Sequence, residues 1–93
     1  MFLGGRLMPI KSLGFTGDCN NIIDYGWYRI TSGVVNGASV GANSWLLCLT
    51  HPNPEYYLVQ WIFPRGAGER LYRREKSVGV WGDWYYIEFT NKV

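Results

Sequence analysis

Apolar and polar positions follow a period of two through most of the chain, and the runs are short. Residues 45–50 place Trp45, Leu47 and Leu49 on one side and Leu46 and Cys48 on the other. A run apolar on both sides predicts a central strand. The sequence His51-Pro-Asn-Pro-Glu55 stops it, because proline donates no ladder hydrogen bond and restricts the residue before it. Residues 56–63 answer as a hairpin partner, with Tyr57, Val59, Trp61 and Phe63 facing one way and Tyr56, Leu58, Gln60 and Ile62 the other. Turn chemistry at 64–68 leads into residues 69–76, where charged and apolar residues alternate as on a half-exposed or edge strand. After a turn at 77–82, residues 84–90 supply a last strand.

The stretch at 18–30 opens differently. Asp18, Asn20 and Asn21 have short polar side chains that bond their own backbone, which favours a first helical turn near residues 18–23. Ile22 and Ile23 give that turn something to bury. Gly26 can take positive φ, and residues 27–31 after it are aromatic and β-branched, so a strand follows. The expected fold is all-β: one short helical turn and a small antiparallel sheet or sandwich of about five or six strands. Tyr28, Leu47, Val59 and Trp84 are its expected core.

Residues 1–17 show no sustained period, with scattered apolar residues among Gly4, Gly5, Gly14 and Gly17. They read as an N-terminal lead-in or oligomerisation segment before a domain at 18–93. Either a partner chain or the chain's own domain covers those apolar residues. They contain no signal-peptide core and no span of about 20 apolar residues, so neither export by the chain's own sequence nor membrane insertion is expected. Residues 32–44 form a low-bulk loop with Gly33, Asn36, Gly37, Gly41 and Asn43. Loops this long often carry function.

Composition narrows the partners. Aromatic and charged residues each make up 17% of the 93 residues, so much of the surface is apolar or uncharged and suited to a covering partner. With a net charge of +2, electrostatics alone does not bind nucleic acid. Cys19 and Cys48 are too few for a disulfide scaffold and read as buried free thiols. One histidine and no C-x-x-C pair leave no metal site and no cofactor to expect. The glycines at 33, 37 and 41 lack the Gly-Lys-Ser/Thr ending of a phosphate loop, and no G-x-S-x-G nucleophile elbow occurs. Scattered carboxylates read as a solvated face rather than a glycosidase pair.

Two constellations remain. Arg65, Arg70, Arg73, Arg74 and Lys76 against Glu69 and Glu75 leave a local charge of +3, suited to anionic polymers or to guarding an edge strand. Aromatic residues beside them can stack on sugar faces. The candidate ligand site is therefore Asn36 and Asn43 of the loop with Tyr72, Arg73, Arg74 and Tyr85. Its ligand is either an anionic or a neutral glycan.

Asp18, Asn20, Ile22, Gly26, Tyr28 and Ile30 also match a "D-x-N-x-I-x-x-x-G-x-Y-x-V/I" pattern. Tyr57-Leu-Val-Gln60 is an apolar strand ending in Gln, Leu71-Tyr-Arg73 is similar to a "Y-x-R" strand, and Trp81-Gly-Asp-Trp84 gives "W-x-x-W". In this order the four pieces resemble the pyocin knob domains of phage and pyocin tail fibres, over about residues 18–88. The turn Pro52-Asn-Pro54 and the extra aromatics Trp61 and Phe63 depart from that pattern. The resemblance implies a noncatalytic receptor-binding domain on a homotrimeric tail fibre. It would be assembled in the host cytoplasm, carried in the virion and engaged in recognising a bacterial surface polysaccharide during host attachment. A carbohydrate-binding or structural interaction module of another small β family is the alternative.

Overall fold

The computed structural model describes residues 2–3, 6–38, 43–65 and 70–89. These residues contain nine strands: β1 (Phe2–Leu3), β2 (Arg6–Leu7), β3 (Ile10–Phe15), β4 (Gly26–Ile30), β5 (Ser44–Thr50), β6 (Leu58–Phe63), β7 (Arg70–Ser77), β8 (Val80–Trp81) and β9 (Tyr85–Glu88). The first two form a small antiparallel hairpin of their own. The other seven make one sheet in the order β3-β4-β5-β6-β7-β8, with β9 pairing β7 beside β8.

All neighbours in that sheet are antiparallel except β3 and β4, which run parallel. The sheet is therefore mixed and has seven strands, where the periodicity predicted five or six antiparallel ones. The extra edge is β3, in the segment read as patternless lead-in. Its register against β4 shifts twice within six residues, so no clean period of two marks it in the sequence. A parallel pair needs a crossover, and residues 16–25 supply it, crossing one face of the sheet with a single 3-10 turn at Cys19–Asn21. Asp18 caps this turn by accepting the Asn20 N–H at 2.8 Å, as the helical turn expected near residues 18–23 requires.

The crossover and residues 34–38 cover one face of the sheet, and the core lies between them: Cys19, Ile22, Tyr28, Ile30, Leu46, Cys48, Leu58 and Ile62 are buried together. Tyr28 and Leu47 are buried as expected, whereas Val59 and Trp84 are only half-buried. Val59 shares the opposite, open face with Leu47, and Trp84 sits at the rim of the covered face. Both thiols are free and fully buried. Loss of hydration pushes Cys19 up to about 11 and Cys48 up to about 12.

Of the two readings its alternating charges allowed, β7 is the half-exposed strand and not an edge, since it pairs with β6 on one side and with β8 and β9 on the other. The middle of the expected 32–44 loop (39–42), the turn residues 66–69, the chain's last residues 90–93 and residues 1, 4 and 5 of the lead-in lie outside the described residues.

Candidate functional site

Cross-strand partners lie on the same face of a sheet, so the register sorts the side chains into rows. On the covered face one row runs Gly26, Cys48, Gln60, Arg74. On the open face the next row runs Trp27, Leu47, Trp61, Arg73, Tyr85 across five strands. Arg73 and Arg74 are neighbours in sequence and therefore point to opposite faces.

The covered-face row is a locked interior. Gln60 Nε2 donates to the carbonyls of Cys19 and Ile22 at 2.8 and 3.0 Å, and Gln60 Oε1 accepts from Arg74 Nε at 2.9 Å. One side chain thus pins the 3-10 turn to the sheet. The Arg74 guanidinium is buried, lying 3.9 Å from the ring centre of Trp81 and 4.7 Å from that of Trp84, while its Nη2 finds no hydrogen-bond acceptor among the described residues. Ring faces stand in for part of the lost water. Burial pulls Arg74 down to about 10. Trp84 Nε1 donates to the Asn36 carbonyl at 3.1 Å, and Asn36 Nδ2 donates to Asp18 Oδ1 at 2.9 Å, which closes the circuit back to the turn. That hydrogen bond, the Asn20 N–H and the nearby Arg74 charge hold Asp18 below the usual carboxylate range. Asp18, Asn20, Gln60, Trp81 and Trp84, which carry motif positions in the sequence, thus meet in one structural assembly built around Arg74.

The open face carries different chemistry. Trp27 packs edge-on against Trp45 with centroids 6.3 Å apart and lies 5.6 Å from Phe63. With Ile10 these rings line an apolar hollow of about 400 Å³. At the other end of the face lies a second cleft of about 310 Å³ lined by Arg73, Glu75, Ser77, Val80, Trp81, Gly82, Asp83 and Tyr85. It exists because β7 changes partner along its length: Lys76 and Ser77 pair with β8, residues 70–73 pair with β9, and the 82–84 connection steps across the seam. The Gly82 N–H donates to the Glu75 carbonyl at 2.8 Å and holds the cleft's wall. Inside, Arg73 lies 3.5 Å from Glu75 and 5.6 Å above the Trp61 ring, and Tyr85 is 67% exposed.

The six residues singled out from sequence do not come together. Arg73 and Tyr85 are direct cross-strand partners in the cleft. Tyr72 and Arg74 face the other way, Tyr72 half-buried against Tyr86 at 6.0 Å and Arg74 buried under two tryptophans. Asn36 is tied to Asp18 and Trp84, and Asn43 leads into β5, its N–H bonded to the Ile30 carbonyl at 2.9 Å. Both asparagines hold left-handed backbone, φ 60° and 62°, a conformation asparagine tolerates. Glu75 and Asp83 join Arg73 and Tyr85 in the cleft, and the candidate site read from the sequence includes neither. A period-two count from Arg73 finds Glu75, whereas Asp83 is reached only through the fold. Among the described residues no cluster of three or more His, Cys, Asp or Glu could hold a metal ion.

No family model matches the chain, and no curated protein matches it. Its fold is similar to one in a pyocin fibre. The solved structure is the P. aeruginosa R1 pyocin fibre comprising C-terminal residues 323–701, with a TM-score of 0.66 and 23% identity over 87% of this chain. The chain spans about a fifth of that fibre fragment, 21% of its length. At this identity the likeness is one of fold.

Proposed function

We propose that the chain is a noncatalytic receptor-binding domain of a phage or pyocin tail fibre, of the knob type, that contributes to recognition of a bacterial cell-surface glycan. The observation that carries this reading is the cleft at the β8–β9 seam, where the exposed Tyr85 ring collects with Arg73, Glu75 and Asp83 on an open sheet face. Flat rings next to a few hydrogen-bonding groups are what a saccharide needs, and the fold shared with a pyocin fibre segment supports the setting. On this reading the protein is a virion component assembled in the host cytoplasm. A pull-down on host cell-envelope fractions tests it. Binding by the unmodified chain should fall about tenfold or more in Arg73→Ala and Tyr85→Ala, a loss on the scale of one hydrogen-bonded or stacked contact. Equal retention by both folded variants would remove the cleft from recognition.

A structural role is the second reading, favoured by the apolar end of the same face. Ile10 and Leu13 are each 61% exposed on the edge strand β3, and Ile10 lines the hollow with Trp27, Trp45 and Phe63. A homotrimer in which these surfaces meet would cover them. The two readings use opposite ends of the open face and are compatible.

A further inference from the structure

We infer that the β8–β9 cleft takes a neutral pyranose with adjacent free hydroxyls, and that it discriminates against uronic acids and phosphorylated sugars. This rests on the glycan-recognition reading and decides which glycan chemistry the cleft accepts. The sequence pattern at 65–76 suggests a basic surface, but the fold disperses it. Arg74 is buried on the covered face, Lys76 lies 5.5 Å from the Trp81 ring on that same side, and Arg70 pairs with Glu88 at 3.1 Å. Among the described residues Arg73 is the one cation that lines the cleft, and two carboxylates, Glu75 and Asp83, line it as well.

The cleft's charged side chains therefore sum to a net negative charge. An incoming carboxylate or phosphate would have to compete with Glu75 for the Arg73 guanidinium, 3.5 Å away, and would also meet Asp83. Like charges set against one another in this way suppress the wrong partner. A neutral sugar meets no such opposition. Ionised carboxylates only accept hydrogen bonds, so Glu75 and Asp83 suit hydroxyl donors, and Arg73 supplies donors for the ring oxygen or a hydroxyl acceptor. The exposed Tyr85 ring offers a flat surface to the sugar's C–H face. At about 310 Å³ the cleft lies at the small end of ligand sites, about 300–1,000 Å³, and fits a short sugar segment rather than a polymer lying along a groove.

The test is an NMR titration of the full chain with the methyl glycosides of glucose, galactose, mannose, rhamnose and N-acetylglucosamine, and with glucuronic and galacturonic acids. We expect at least one neutral glycoside to shift the Tyr85 and Gly82 signals and to bind about tenfold or more tightly than either acid, with little dependence on salt. Asp83→Asn should weaken the neutral sugar and improve the acids. Tighter binding of an acid, no binding by any neutral glycoside, or an unaltered preference in Asp83→Asn would each overturn the inference. Envelope pull-down by the same samples separates the two levels. Retained envelope binding with no neutral-sugar binding refutes the ligand class and leaves glycan recognition standing, whereas loss of both refutes both.

Discussion

Arg74 and Trp81 stack inside the domain, the guanidinium carbon 3.9 Å from the ring centre, at the place where the sheet meets the 3-10 turn that crosses it. The charge is held by geometry supplied from three separate segments. Gln60 connects them, so it is the residue to remove. In Gln60→Leu, of similar size, the Arg74 Nε donor and the carbonyls of Cys19 and Ile22 lose their shared partner. The Cys19 carbonyl keeps the Ile22 N–H at 3.2 Å and the Ile22 carbonyl keeps the Cys48 thiol at 3.5 Å, whereas the Arg74 Nε donor is left unpaired at about 1–3 kcal/mol, so a loss of about 2 kcal/mol is expected. Urea denaturation measures it, and a loss below about 1 kcal/mol would mean the turn is anchored by its apolar contacts alone.

How far this was legible in the sequence follows from what the period of two can say. It separated the faces of β5 and β6, because Leu46 and Cys48 alternate with Trp45, Leu47 and Leu49 over a long uninterrupted run. It could not place β3, whose pairing is broken by register shifts. Nor could composition reveal that Arg74 goes inward: an arginine on a charged strand reads as exposed until its neighbour across the ladder is known to be Gln60. Grouping Arg73 with Arg74 ignored strand alternation, which alone sends them to opposite faces. The cleft was half visible, because Arg73 and Tyr85 could be named, but Asp83 joins them only through the partner switch of β7.

Alkaline pH should destabilise the fold. Cys19, Cys48 and Tyr28 are held in the neutral form by burial, up to about 11, 12 and 12, against ordinary values of 9.0 for the thiols and 10.0 for the phenol. Between pH 9 and 10 the unfolded chain releases thiol protons that the folded chain keeps, so stability present below pH 9 is lost as pH rises. Each thiol contributes at most about 1.4 kcal/mol per pH unit. Arg74 acts in the opposite direction, because its folded form loses a proton near 10 while the unfolded form keeps it to 12.5, and this opposes the decline above pH 10. Urea midpoints at pH 8, 9 and 10 under reducing conditions should show the fall, and Cys48→Ala should flatten it. A level profile would contradict the burial argument.

Gly26 is required by both its backbone and its surroundings. Its φ of 145° is one that side chains with a Cβ rarely adopt, and a Cβ there would stand 2.8 Å from the Pro9 carbonyl, which accepts the Trp27 N–H. The clash falls on backbone that starts the β3–β4 pairing. Gly26→Ala should cost about 2–3 kcal/mol and lower the melting temperature by about 10 °C or more. A calorimetric shift under about 3 °C would show that β3 moves aside without penalty.

The two-residue loop joining β7 and β8 offers a stabilising change. Val78 and Gly79 both have positive φ, 50° and 78°, and Ser77 pairs with Val80 across the turn, the pattern of a type I′ hairpin. Gly79 suits its position, whereas a β-branched residue at Val78 is strained. The side chain is 62% exposed, so little packing is lost by replacing it. Val78→Asn should raise stability by about 1 kcal/mol, read from the denaturant midpoint. An unchanged or lower midpoint would indicate that Val78 is held by contacts at the cleft's rim.

Association is the prediction that bears most on a fibre. Among the described strands β3 is an edge that pairs with β4, and two of its side chains are exposed: Ile10, which lines the aromatic hollow with Trp27, Trp45 and Phe63, and Leu13. An apolar edge next to an apolar hollow is costly to leave open. Deleting residues 1–17 would remove a strand of the main sheet and confuse folding with assembly, so substitution is the cleaner probe. With Ile10→Asp and Leu13→Asp combined, both side chains are solvated in the monomer and the sheet should survive, as circular dichroism can check. Light scattering should then give a trimer mass for the unmodified chain at tens of micromolar and a monomer mass for the double variant. A monomeric unmodified chain, or a double variant that still forms trimers, would show that Ile10 and Leu13 are not the contact.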